Sequence, residues 1–396
     1  MKRILASLLL LLLLLPGASA RSRERTVIVV SMDGFRPDYI RMYGAPNIEA
    51  AMRSGVSTAM WPSYPASTFP NHYAIATGLV PDHNGIVNNS FYDPDYREHY
   101  AIASKNRSNP AFFLGEPVWL TAMRQGVKVA VVYWVGSDVP IRGQYPTYYK
   151  DYGKKPLLEY PERVDTVLTY LEMPEATRPR LIMLYFDEPD HSGHGFGPDS
   201  PEVRDAVYRV DEMVGRLREG IARSSRAREV DLILLSDHGM TEVSKTRMVN
   251  VFDYIKREWM ERIITGTPTS IFTLPEYRDT VYSALLQAPH VRVWKKEEIP
   301  AYLNYGTSNR IGDIVVAPDM GWTIGTRAPN TLGAHGYDPY ESDMFALFCA
   351  EGPDFRKDRE IPQFRNVSVY PLICHLLGIR PAPNDGDLTE LKKALK

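Results

Sequence analysis

Short apolar runs recur along the chain, separated by stretches in which apolar residues return every three or four positions. The runs at 26–31, 128–134, 181–186, 231–236, 313–317 and 344–350 hold few polar residues. A strand with one wet face alternates, so these runs predict strands buried on both faces. Between them, 201–220 sets Val203, Val207, Val210, Val214 and Leu217 at helical spacing and closes on Gly220. A shorter helix is framed by Pro70 and Gly78, with Ser67 or Thr68 as its cap. Strands alternating with helices predict an α/β fold: a mostly parallel central sheet with helices on both faces. In such sheets ligands bind beyond the carboxyl ends of the strands. From about 250 to 309 the pattern is more polar and less regular, with the charged patch Lys295-Lys296-Glu297-Glu298. It predicts a small inserted lobe within one domain covering 21–396.

Composition narrows the setting. The 396 residues are 44% hydrophobic, enough for one large α/β domain or two ordinary ones. The formal net charge of −2 gives no bulk attraction for nucleic acid, and no duplex partner is expected. At the N-terminus, Lys2 and Arg3 precede an apolar stretch from Ile4 to Leu15 and then Ala18-Ser19-Ala20. This reads as a signal peptide over 1–20, with the mature chain starting near Arg21 and exported to a periplasm or secreted. The stretch is too short to span a bilayer comfortably, and no later segment is long and apolar enough. A monomer without stable membrane insertion is therefore expected. The two cysteines, Cys349 and Cys374, sit in apolar stretches, where a disulfide and two buried thiols read equally well. Asn88, Asn106 and Asn366 begin N-x-S sequons.

The chemistry gathers just past the apolar runs. Asp33 follows the first and precedes Gly34; Asp237-His238-Gly239 follows the fourth. Carboxylates and imidazoles cost free energy to bury unless paired or bound to a cation, so strand-end clusters point to a metal site. In 187–194, Asp187 with His191 and Asp190 with His194 both stand at i, i+4, and only one pair can face a given ion. Pro189 turns the chain, which favours Asp190 and His194 and leaves His191 exposed or outside the ligand set. His335 lies between glycine-rich flanks and fills a remaining ligand position. A hydroxyl at the start of the helix framed by Pro70 would sit where anions are favoured and could act as a nucleophile. Three carboxylates, three histidines and a hydroxyl suit two adjacent zinc ions better than magnesium or calcium.

Taken in order, Ser31-Met32-Asp33-Gly34, 64–72, Thr77-Gly78-Leu79, His83-Asn84-Gly85-Ile86, 185–194, Ser236-Asp237-His238-Gly239-Met240 and His335-Gly336-Tyr337-Asp338 resemble the nucleotide pyrophosphatase/phosphodiesterase family of the alkaline phosphatase superfamily. The resemblance implies an alkaline-phosphatase-like catalytic domain with two Zn2+. Asp190, His194 and His335 would hold one ion. Asp33, Asp237 and His238 would hold the other, with Thr68 on that ion as the nucleophile. Asn89 would donate to a phosphate oxygen, and Asn88 is its rival on the residues alone. Phe69 and Tyr185 would flank a nucleobase, with Phe91 and Tyr133 as further candidates for that pocket. The implied substrate is a small nucleotide or other phosphodiester. The implied reaction is hydrolysis of phosphodiester or pyrophosphate bonds through a covalent phospho-threonine, with release of a nucleoside monophosphate. A diesterase for lipid or choline headgroups is the nearest alternative, followed by a phosphomonoesterase. The arginine of true alkaline phosphatases has no evident counterpart, which disfavours the latter.

Overall fold

Three apolar runs lie side by side at the centre of the molecule, and each buries every one of its residues: Thr26–Met32, Leu181–Phe186 and Val230–Leu235. The structure is a computed structural model and describes residues 25–396, so the signal peptide expected at 1–20 lies outside the described residues. Side chains along a strand alternate between faces. Val27 and Val29 accordingly pack with Tyr73, Trp119 and Tyr370 from the helices Thr68–Thr77, Val118–Arg124 and Val369–Leu377. Ile28, Val30 and Met32 pack on the opposite face with Ile48, Val167 and Val207 from the helices Pro46–Ser54, Tyr160–Leu171 and Pro201–Arg223. Burying such aliphatic side chains is worth about 1.5–3 kcal/mol each, and this double coating is what holds the strands.

The central sheet has eight strands in the order Arg359–Glu360, Val56–Met60, Ala346–Glu351, Val230–Leu235, Thr26–Met32, Leu181–Phe186, Val129–Val132, Tyr148–Lys150. Ala346–Glu351 runs antiparallel to both neighbours, and every other pairing in the sheet is parallel. Parallel register sets Ser31 opposite both Tyr185 and Leu235, so three strands end at one level of one edge.

Several expectations need correcting. The run at 313–317 forms the strand Ile314–Pro318, but in a separate antiparallel sheet with Met260–Ile264, Thr269–Thr273 and Val291–Lys295. An apolar run signals burial without saying in which sheet, and this second sheet draws strands from 260 to 318. The long helix continues three residues beyond Gly220, which is not its end but a close-packing point: Leu168 of the neighbouring helix lies where a larger side chain at 220 would stand. Cys349 and Cys374 are free and buried. Among the described residues no helix is long and apolar enough to cross a membrane.

Candidate active site

Beyond the carboxyl edge of the sheet the chain folds back tightly. Asp33 N donates to Phe186 O at 2.9 Å, Asp190 N to Asp33 O at 3.0 Å, and Gly34 N to Asp237 Oδ1 at 3.2 Å. Gly34 has φ +66°, and a Cβ there would meet Asp190 Cβ at 2.9 Å. Only glycine lets the two acidic segments approach so closely.

Three overlapping groups of ligand-type atoms result among the described residues, one of them Asp33, His72 and Asp237, in which the His72 nitrogens already face Ser31, Thr68 O and Asp237. Asp190, His194 and His335 form another, with ligand atoms within 4.8 Å of one another, and Asp33, Asp190 and His238 form the third. Asp237 closes the third group, its Oδ2 lying 3.1 Å from His238 Nε2. The histidines of these last two groups share one arrangement. Nδ1 faces a backbone carbonyl in each: Gly333 O at 2.9 Å for His194, Gly239 O at 2.7 Å for His238, Ala66 O at 3.1 Å for His335. A carbonyl accepts only, so Nδ1 carries the proton and Nε2 is bare. Each bare Nε2 faces carboxylate oxygen: His194 to Asp190 at 3.5 Å, His335 to Asp190 at 3.6 Å, His238 to Asp33 at 3.5 Å. Lone pair against lone pair is repulsive unless a cation lies between. Asp33 Oδ1, Asp190 Oδ1 and Asp237 Oδ2 are also buried without a hydrogen-bond partner. These orphaned oxygens and bare nitrogens fit metal cations.

The electrostatics agree. Burial, then the charges of Asp237 and Asp190, push the Asp33 carboxyl well above the usual carboxylate range. Burial likewise raises Asp190. Burial works to raise Asp237 too, but the imidazoles of His238 and His72 hold it below the usual range. Burial, then His238 and His194, lower His335 well below an ordinary histidine and keep it neutral. The three carboxylates repel one another, and cations would relieve that repulsion.

Thr68 is the first residue of the helix Thr68–Thr77, with Ser67 in the cap position. Neither hydroxyl caps: Ser67 makes no side-chain cap bond, and Thr68 Oγ1 is turned to His238 Nε2 at 3.0 Å. Thr68 also lines a cavity of about 560 Å3 whose walls include Asp33, Phe69, Tyr133, Trp134, Tyr152 and Tyr185. Asn89 Oδ1 accepts from Phe69 N at 3.0 Å, so that helix-terminal amide is already engaged. Asn88 serves the turn, its Oδ1 accepting from Asn89 N and its Nδ2 donating to Pro268 O. Tyr185 stands in the wall, but its hydroxyl donates to Asp33 Oδ2 at 2.6 Å. Asp187 pairs with Arg163 at 3.2 Å, and His191 is exposed on the cavity rim.

Phe91 is not in this cavity. It lies on the inward face of the strand Ser90–Asp93, stacked on Tyr100 at 4.7 Å and edge-on to Phe112. Alternation along that strand points residue 91 into the core. Two residues escape the sequence reading. Tyr152 comes from a loop without periodicity. His72 lies one helical turn after Thr68, a spacing that offered a signal.

Comparison with known proteins bears on this geometry. Residues 27–338 match the family described as Type I phosphodiesterase / nucleotide pyrophosphatase. The bovine ectonucleotide pyrophosphatase/phosphodiesterase family member 3 is 38% identical over 386 residues, 93% of this chain and 44% of the relative. A venom phosphodiesterase of Crotalus durissus collilineatus is 37% identical over 388 residues, 94% of this chain and 47% of the relative. The chain thus spans under half the length of these curated relatives. Murine ectonucleotide pyrophosphatase / phosphodiesterase 5, solved as an inactive threonine-to-alanine variant in complex with AMP, superimposes with a TM-score of 0.89 at 33% identity, covering 94% of this chain and all of that one. With the ligand clusters at the edge of a mainly parallel sheet, these matches place the chain in the nucleotide pyrophosphatase/phosphodiesterase family of enzymes, with its alkaline-phosphatase-like fold.

Proposed function

We propose that the protein hydrolyses phosphodiester and pyrophosphate bonds of nucleotides and their derivatives, releasing a nucleoside monophosphate. One observation carries the reading: Thr68 Oγ1 stands at a helix start, 3.0 Å from His238 Nε2, between the orphaned carboxylates and a cavity of nucleotide size. The murine relative's inactive threonine variant and its bound AMP support it.

Asp190, His194 and His335 would hold one zinc ion, and Asp33, Asp237, His238 and Thr68 the other; mixed nitrogen and oxygen donors suit zinc. When bound, the pair supplies charge to favour the Thr68 alkoxide and to offset negative charge on the phosphoryl group. Thr68 Oγ attacks phosphorus as the bond to the leaving oxygen breaks, giving a phospho-threonine that water then cleaves. Asn89 uses Oδ1 on the Phe69 amide, which orients its Nδ2 as a donor to a phosphoryl oxygen. Phe69 offers a ring face to the base from one wall of the cavity, and Tyr152 and Tyr185 line it with Phe69. Export to a periplasm or the medium, and one catalytic domain over 21–396, complete the proposal.

The test is Thr68→Ala in the zinc-loaded chain. Hydrolysis of a nitrophenyl nucleotide ester should disappear while zinc content stays unchanged. Near-normal turnover would remove Thr68 as nucleophile. Rates on a dinucleotide, a nucleotide sugar and glycerophosphocholine separate nucleotide from headgroup substrates.

A further inference from the structure

His72 is buried with no solvent exposure, between the cavity wall and the carboxylates. Ser31 Oγ lies 2.9 Å from its Nε2. Its Nδ1 lies 3.0 Å from the Thr68 carbonyl oxygen and 3.2 Å from Asp237 Oδ2. Both neighbours of Nδ1 only accept, so Nδ1 bears the hydrogen and Nε2 takes the Ser31 hydroxyl proton as acceptor. Ser31 and Asp237 thus flank the imidazole on its two nitrogen edges. All three are fully sealed from solvent, so no substrate reaches Ser31 Oγ and the array is not a second nucleophile. Its reach is toward Thr68. Trp134 and Tyr185, which line the cavity, meet the imidazole edge-on at 5.2 and 5.1 Å, and Trp134 Nε1 donates to His72 O at 3.0 Å. The ring has one orientation open to it.

We propose that His72 is a positioning residue: the acceptors at Nδ1 fix its tautomer, Ser31 holds the far edge of the ring at Nε2, and Nδ1–H then holds the Thr68 carbonyl beside the Asp237 carboxylate and aligns the nucleophile. The inference rests on Thr68 being that nucleophile. It asks for an effect on turnover and not on substrate affinity.

Two substitutions separate alignment from packing. In His72→Asn the new amide nitrogen can take the place of Nδ1, whereas in His72→Gln it takes the place of Nε2. In the zinc-loaded full chain, His72→Gln should lower kcat about 10–100-fold, the range for partners behind a ligand, with KM changed less than about 3-fold. His72→Asn should keep kcat within about 5-fold of the parent. AMP affinity by calorimetry and zinc per chain should hold in both variants. A packing role gives the reverse order, because asparagine leaves the larger void. Parental kcat in His72→Gln, or a worse result for His72→Asn than for His72→Gln, overturns the proposal. Should His72→Gln fail to fold, Ser31→Ala removes only the hydrogen bond that holds the ring at Nε2 and should lower kcat at constant KM; an unchanged kcat overturns the proposal equally. Thr68→Ala, run alongside, tells the two failures apart: retained turnover there defeats the proposed reaction, and its loss with a fully active His72→Gln defeats only the role of His72.

Discussion

Asp231 gives the sharpest stability prediction. It stands near the start of Val230–Leu235, at the end of the strand opposite Asp237, and is fully buried. Its Oδ1 accepts from Asp354 N at 3.1 Å, and its Oδ2 has no hydrogen-bond partner. The nearest cation is spent elsewhere: Arg25 donates to both Asp354 oxygens at 2.8 and 2.7 Å and passes Asp231 at 3.8 Å. Burial pushes the Asp231 carboxyl up to about 7. The folded chain therefore holds this proton more tightly than the unfolded chain. The resulting stability is complete below the unfolded value near 4 and is lost as pH rises through about 7. At 1.36 kcal/mol per unit, the rise from 3.8 sets a ceiling of about 4 kcal/mol. Asp354, held low by Arg25, has the opposite sign but is present in both parent and variant. Asp231→Asn keeps the acceptor and removes the charge. By urea unfolding it should be more stable than the parent at pH 8 by up to about 4 kcal/mol, with the gap closing toward pH 5 and kcat unchanged. A gap of equal size at both pH values, or a less stable variant at pH 8, refutes the reasoning.

Arg310 pairs with Asp93 at 2.7 Å, both buried, and also donates to the carbonyls of Gly85 and Phe112 at 2.6 and 2.7 Å. Arg310→Met should cost about 3–5 kcal/mol in urea unfolding by stranding a buried carboxylate, and adding Asp93→Asn should recover part of it. Removal of metal by a chelator should abolish hydrolysis and lower Tm, because the Asp33, Asp190 and Asp237 carboxylates then repel without relief; added zinc should restore both.

The central strands are legible because burial on both faces leaves an unbroken apolar run, and the ligands because acidic and imidazole residues at such strand ends have no cheaper explanation. Asp187 and His191 against Asp190 and His194 could be sorted by a single proline. The rest depends on contacts between distant segments. Ile314–Pro318 reads like a central strand, and only its pairing with Thr269–Thr273 and Val291–Lys295 assigns it to the smaller antiparallel sheet. Phe91 and Phe69 are equal as letters; strand alternation turns one inward, while the helix start leaves the other on the cavity. His72 is a helix residue in sequence and acquires meaning only when Ser31 and Asp237 close around it.

The two unpaired thiols have a practical use. Burial drives the Cys374 thiol up to about 12 and raises that of Cys349 further, so neither ionises near neutrality while its surroundings stay closed. One belongs to the antiparallel strand within the sheet and the other to the helix Val369–Leu377. Alkylation by a maleimide therefore clocks the opening of two separate layers, and the native chain carries both reporters without engineering.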